Sequence, residues 1–293
     1  MGNTVTTVKE AHRGRTREIL TRIVQNKGAL AGGIVIVILI LVSLFAGFFL
    51  DYDTQVIGQN VAERLQGPSL RHWFGTDEVG RDIFSRIMYG TRYSLSVGVA
   101  AVVIGLVIGV TLGAFAGYFG GAAENIIMRC VDILGAIPGI LLAIVIVSVL
   151  GQSIFNLMLA IGITSVPQFV RITRAAVLTV KNEEYVEAAK TIGLSHRKII
   201  FRHILPNCLS PIIVQTTLRM ASAIISASGL SFLGLGVPAP QPEWGALLSA
   251  GRKYIREYSY MTVFPGLAIM ITVLSLNLVG DGLRDALDPK LKQ

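Results

Sequence analysis

The sequence predicts an all-α integral membrane protein with six transmembrane helices and both termini in the cytoplasm. Three observations carry that expectation. Apolar residues make up 52% of the 293-residue chain and gather in long blocks, while only 15% of residues are charged; a soluble domain carries about 25% charge. Several blocks are long enough to cross the hydrocarbon core, which takes about 20 residues of helix. The lysines and arginines, finally, are divided unevenly among the segments that join the blocks.

The elements follow in chain order. After a tail of residues 1–28, residues 29–50 (ALAGGIVIVILILVSLFAGFFL) hold 22 residues without a charge. A cleaved leader would have a core of about 7–15 apolar residues and a small-residue cleavage site. This run is longer and ends in the bulky FFLDYD, so it reads as an uncleaved first span. Residues 51–91 form an extracytoplasmic segment, long enough for a lateral helix and too short for a binding domain. Within it, GTDEVGRD (75–82) crowds Asp77, Glu78 and Asp82 together, but not at the alternating spacing with a distant Glu that a calcium loop needs. Thr76 is expected to cap a helix running through Asp82, Ile83, Phe84 and Ile87 into the second span.

The main membrane core is expected over 92–281. Between Arg92 and Glu124 lie 31 uncharged residues, more than one straight span, so this helix tilts or projects beyond the bilayer. In it Ala101, Gly105, Gly109, Gly113 and Gly117 recur every four residues and stack on one face. Small residues there admit a second backbone, supplied by this chain or by a second subunit. Between Asp132 and Arg171 lie 38 uncharged residues interrupted by GQSIFN (151–156). They read as a third span starting near Asn125, a tight turn and a fourth span. A fifth runs from about Ile212 to Gly236 with one charge, Arg219, and a sixth from about Tyr260 to Gly280, before the tail 282–293. With the N-terminus in the cytoplasm, that side holds 17 Lys and Arg and the other side 7. The positive-inside rule favours this orientation, and with it a cytoplasmic loop at 171–207.

Chemical motifs are scarce. No G-x-x-x-x-G-K-[ST] phosphate cradle, H-E-x-x-H or G-x-S-x-G is present. The glycine-rich runs GAFAGYFGG and GLSFLGLG belong to apolar spans and follow no strand, which disfavours dinucleotide binding. Cys130 and Cys208 sit in no C-x-x-C or Cys/His pattern, so neither a metal nor a redox site is expected. Asp132 stands alone as the acid nearest a span, short of a catalytic set.

The stretch EYVEAAKTIGLSHRKIIFRHILPN (184–207) has the look of a DNA-reading helix-turn-helix. Tyr185, Ala188, Ala189 and Ile192 fall on one face of a first helix. Gly193 suits its left-handed stop, and Ser195 the N-cap of a second helix running to Pro206. Nucleic acid is nevertheless not the expected partner. Membrane spans tether the unit on both sides, a third supporting helix is missing, and the second helix lacks an Arg/Asn/Gln set for base edges. A face of apolar and small residues instead suits docking into a partner protein's groove.

Glu187-Ala188-Ala189 with Gly193, followed by Leu205-Pro206, resembles the EAA motif of type I ABC importer permeases; His203 stands where that motif has Ile. HWFGTDEVGRDIFSRIMYGTRYSL (72–95), YFGG with NIIMRCVDILGAIPGILLAI (118–144), GLSFLGLGVPAPQPEWG (229–245) and GDGLRDALDPKL (280–291) resemble the C-type permease subunits of dipeptide and oligopeptide importers, a group that includes nickel and glutathione permeases. The resemblance covers nearly all of the chain from about residue 16. It implies a type I ABC importer permease core in the bacterial cytoplasmic (inner) membrane, without enzyme activity or a cofactor of its own. It implies pairing with a B-type permease, two cytoplasmic ATPase subunits that bind ATP and Mg, and an extracytoplasmic substrate-binding protein, all within membrane lipid. Glu187, Ala188, Ala189 and Gly193 are then expected to couple the permease to an ATPase.

Arg219 lies 8 residues beyond Pro211, about 12 Å into its span. A substrate pathway, a partner's acid or the membrane interface would each accommodate it there. In the first case a peptide carboxylate suits its guanidinium. The cargo implied is a dipeptide or oligopeptide, with glutathione, nickel or another metal chelate as the alternative. A secondary transporter, the reading from a different class, would need intramembrane acids or inverted repeats. The spans show neither.

Overall fold

The computed structural model describes residues 21–287, and among them the secondary structure is helical throughout, apart from one isolated bridge between Thr76 and Asp82. The main helices are α1 (Lys27–Phe49), α2 (Ile83–Phe119), α3 (Gly121–Ala136), α4 (Gly139–Leu150), α5 (Ile154–Val180), α6 (Glu184–Thr191), α7 (His196–Phe232), α8 (Trp244–Gly251) and α9 (Tyr260–Leu287). Five of them, α1, α2, α5, α7 and α9, are long and apolar enough to cross a membrane. A sixth crossing arises if α3 and α4 are one span, broken by a bend of 88°.

Five of the expected spans are long helices and the sixth needs α3 and α4 to count as one, and four of the six differ from the expected bounds or shape. The third is not a straight helix: Pro138 has no N–H to continue the ladder, and α4 beyond it has only 12 residues, about 18 Å. The helix of the second span begins at Ile83, so α2 runs for 37 residues and takes in the end of the 51–91 segment. Its cap is Asp82, whose carboxylate accepts from the Ser85 amide at 2.7 Å. Thr76, expected in that role, is fully buried, accepting from the Gln66 amide and donating to the Glu63 carbonyl. The fifth span starts at His196 instead of Ile212, because the chain passes Pro206 without breaking: residues Ile199–Ile204 widen to π geometry and Leu205–Cys208 tighten to 3-10 geometry. The sixth continues to Leu287. The tails 1–28 and 282–293 fall mostly or partly outside the described residues.

The α2–α5 seam organises the bundle. A Cβ added at Gly105 would lie 2.8 Å from the Ser165 Cβ and 3.0 Å from the Gly162 carbonyl. At Gly113 it would lie 2.6 Å from the Val170 carbonyl, and at Gly117 2.8 Å from the Val177 Cβ. Gly162 on α5 returns the contact, facing the Ile104 side chain and the Ala101 carbonyl. The small-residue stripe is thus filled from within the chain. Asp132 is not alone either: it pairs with Arg171 at 3.0 Å, and Glu124 pairs with Arg174, fastening α3 to α5.

At the opposite end of α2 the connecting segments are held by buried polar contacts. Asp77 accepts from Arg81 Nε at 2.6 Å, Arg86 at 3.3 Å and the amides of Val79 and Arg81. The acids of GTDEVGRD therefore knit the segment to α2, and no metal-binding group of His, Cys, Asp or Glu occurs among the described residues. The α7–α9 connection folds back as α8. Glu243, almost wholly buried, caps it by accepting from the Gly245 and Ala246 amides, both at 2.9 Å. Burial pushes the Glu243 carboxyl above the ordinary carboxylate range, opposed by these hydrogen bonds. Trp244 donates its indole N–H to the Ile87 carbonyl at 3.0 Å and its amide to Ser94 at 3.1 Å, which locks α8 onto α2.

Two outcomes follow for stability. Gly109→Val drives a branched side chain into Phe169 and the Val166 carbonyl. Overpacking costs about 1–3 kcal/mol, so the detergent-solubilised protein should melt and aggregate earlier, whereas Gly33→Val, with open space around it, should not change its melting. Glu243→Ala strands two buried amides at about 1–3 kcal/mol each and should lower the melting temperature more than Glu243→Gln, which keeps one acceptor. Equal melting for both Glu243 variants would contradict the capping role.

Candidate functional site

The candidate site begins where the α5–α7 connection leaves the bundle. The helix α6 stops as expected. Gly193 has φ +77°, its amide donates to the Lys190 carbonyl at 3.0 Å, and the next amide, of Leu194, donates to the Ala189 carbonyl at 3.2 Å. This pair of bonds is a Schellman stop, and glycine reaches its left-handed conformation without a Cβ clash. Ser195 occupies the N-cap position of the next helix, but its side chain makes no capping bond there.

The faces of α6 differ from the expected partition. Tyr185, Ala188 and Ile192 are exposed, Ile192 to 74%. Ala189, expected beside them on the docking face, is buried with Val186 against Val177, Ile199, Ile200 and Ile204. A helix of 8 residues cannot bury its small-residue side and offer it to a partner as well. Ala189 therefore seats α6 on its own chain, while Glu187, Ala188 and Gly193 remain accessible.

Side chains from α2 complete the seat. Tyr118 Oη is 2.8 Å from His196 Nδ1, the Lys190 ammonium sits 5.9 Å from the centre of the Tyr118 ring, and Lys181 Nζ donates to the Gly117 carbonyl at 3.1 Å. None of these partners was legible in the sequence, since 78 residues separate Tyr118 from His196. The only signal was an aromatic residue ending a long apolar helix.

From this seat α7 runs without a break for 37 residues, about 55 Å, and carries Arg219 in its transmembrane part. Arg219 is half-buried, and its guanidinium has no hydrogen-bond or ion-pair partner among the described residues. The structure does not bring it together with Glu187, Ala188, Ala189 and Gly193; they are successive stations on one path, joined by the shaft of α7. Such an arrangement transmits displacement, and no nucleophile, base and orienting group converge among these residues to do chemistry.

Comparison with known proteins places this architecture. Residues 109–293 match the family described as binding-protein-dependent transport system inner membrane component, and residues 14–68 match the N-terminal transmembrane domain of oligopeptide transport permease C. The chain is similar to the dipeptide transport system permease protein DppC of Alkalihalophilus pseudofirmus, with 50% identity over 276 residues, 94% of this chain and 90% of that one. It is 46% identical over 277 residues to the glutathione transport system permease protein GsiD of Pectobacterium atrosepticum, covering 94% and 91% of the two chains. Among solved structures, a chain of the MetNI methionine ABC transporter in an inward-facing conformation superposes with a TM-score of 0.56 at 18% identity, over 69% of this chain and 96% of that one; at that identity the likeness speaks for the fold. The chain belongs to the family of binding-protein-dependent transport system inner membrane components: it is a permease subunit of an ABC importer, with the ATPase on a separate subunit.

Proposed function

We propose that this permease imports small peptides across the bacterial cytoplasmic membrane. Its relatives' names specify dipeptides and glutathione, itself a tripeptide. The observation that carries the mechanism is the continuity of α7 from the seat of α6 to Arg219. The chain pairs with a B-type permease, two ATPase subunits dock at the α6 side, and an extracytoplasmic binding protein delivers cargo to the opposite side. Residues 27 and 287, and with them both termini, lie on the cytoplasmic side.

The ATPases bind ATP and Mg and close on one another. Tyr185, Ala188 and Ile192 of α6 fill a groove of one ATPase, and Glu187 offers a carboxylate to a Lys or Arg there. Movement of α6 passes through Ala189 and Val186 into α7, which shifts as one body because no break separates residues 196 and 232. Arg219 moves with it and lines the substrate pathway, so the pathway opens alternately to the two sides.

Topology is checked with reporter fusions. A fusion after Gln241 should be extracytoplasmic and one after Lys190 cytoplasmic; both on one side would rule out the six-crossing arrangement.

Coupling is checked in membranes that contain the whole complex. Gly193→Val forces a β-branched residue into positive φ, and Ala188→Trp and Ile192→Asp alter the free face without touching the seat. Each should insert normally yet lower ATP-driven peptide uptake at least about tenfold, the effect of losing about 1.4 kcal/mol of coupling, with ATPases that wash off. Ala189→Trp should do the same by unseating α6, and Glu187→Gln should be milder, losing at most one ion pair. Normal uptake and ATPase retention by Gly193→Val and Ile192→Asp would remove α6 from the coupling path.

A further inference from the structure

Along α7 runs a polar ribbon that the rest of the chain leaves uncovered. Gln215, Arg219, Ser222, Ser226 and Gly229 are spaced by four, three, four and three residues, which stacks them on one side of the helix. Ser222 is exposed and the others are half-buried, while Ile212, Ala223, Ile224, Ala227 and Leu230 turn into the core. The ribbon is about 21 Å long at 1.5 Å per residue, longer than a dipeptide.

Its one charge has no counter-charge among the described residues. The helices α1, α2, α4, α5 and α7 contain no Asp or Glu. The acids of α9, Asp281 and Asp285, belong to its last turns, and α9 packs on the Thr217–Leu218 side of α7 next to Gly280. At 100° per residue Thr217 points about 160° away from Arg219. The remaining acids nearest the spans, Glu124 and Asp132 on α3, are already paired with Arg174 and Arg171. Ser222 satisfies its hydroxyl on the Leu218 carbonyl at 3.2 Å, which leaves the guanidinium as the ribbon's one charged donor, beside the free Gln215 amide and Ser226 hydroxyl. Facing lipid, such a row is costly, and a fixed charge inside a membrane protein faces a cavity or a partner.

We propose that Arg219 reads the carboxylate of the cargo as it crosses, making this chain itself selective for cargo with a free acid terminus. The guanidinium offers a planar pair of donors that fits a carboxylate bidentately. Gln215 and Ser226 flank it as neutral hydrogen-bonding groups. The assignment rests on the importer reading and deepens it: delivery selects the cargo first, and Arg219 selects it again within the membrane.

The test uses the complete complex with its binding protein in proteoliposomes, and compares uptake of alanyl-leucine with uptake of its C-terminal amide. The binding protein's own preference is common to all variants and cancels when acid-to-amide ratios are compared. R219Q should lower that ratio about tenfold or more, the range for a lost charge-assisted hydrogen bond, through slower uptake of the free acid and with amide uptake unchanged. R219K should fall between, since an ammonium keeps the charge without the fork. An unchanged ratio in R219Q with uptake intact overturns the assignment and leaves the importer reading standing. Failure of both R219Q and R219K to co-purify with the second permease overturns it too, because Arg219 would then be pairing with that subunit's acid. Absence of ATP-driven uptake in the unmutated complex would sink the importer reading and this inference with it.

Discussion

Close backbone approach between α2 and α5 is the constraint on which the rest of this permease depends. Lipid is as apolar as a leucine side chain, so helices in a membrane gain little by hiding apolar surface and associate through packing and hydrogen bonds. Glycines at 105, 109, 113 and 117 meet Gly162 and the backbone and Cβ atoms of residues 165–177, leaving no room for a Cβ on the glycine side. The surrounding elements refer to that pair. α3 is pinned to α5 by two ion pairs, α6 and the start of α7 rest on the end of α2 through Tyr118, and α8 is latched to the other end of α2 through Trp244.

Against this pair, α7 continues from the turn after α6 and also bears the polar ribbon. Where Pro206 would break a regular helix, one π turn and one 3-10 turn carry the chain through, so displacement of α6 is not absorbed at a loop. The loss of ideal helix geometry is local, and the gain is mechanical continuity from a water-exposed end to the middle of the membrane.

Charge placement separates structural groups from functional ones. Asp77 and Glu243 are buried and each accepts several hydrogen bonds, as burial of a carboxylate requires. Both hold connecting segments in place. Arg219 is the contrast: a charge within a span with no partner among the described residues. A permease is incomplete without its second subunit and its cargo, so an unsatisfied group facing outward from the monomer marks where something else belongs.

The sequence by itself determined the class, the long apolar helices and the stop of α6, because these depend on local properties. Apolar runs reveal spans through their length, and Gly193 reveals a left-handed stop that few other residues tolerate. The small-residue stripe of α2 was equally plain, but its partner was not: only the tertiary structure decided that α5 fills it and no second subunit does. The same holds for Ala189, whose spacing placed it with Tyr185 and Ile192 and whose burial is set by residues 199–204 folding back beneath it. Periodicity could not locate the bend at Pro138, nor show that Pro206 would leave α7 whole, since a proline breaks or merely bends a helix according to what packs around it. Glu243 and Trp244 lie about 150 residues from Ser94 in the chain, and no local pattern could reveal that this buried carboxylate and indole would meet α2 there to fasten one end of the bundle.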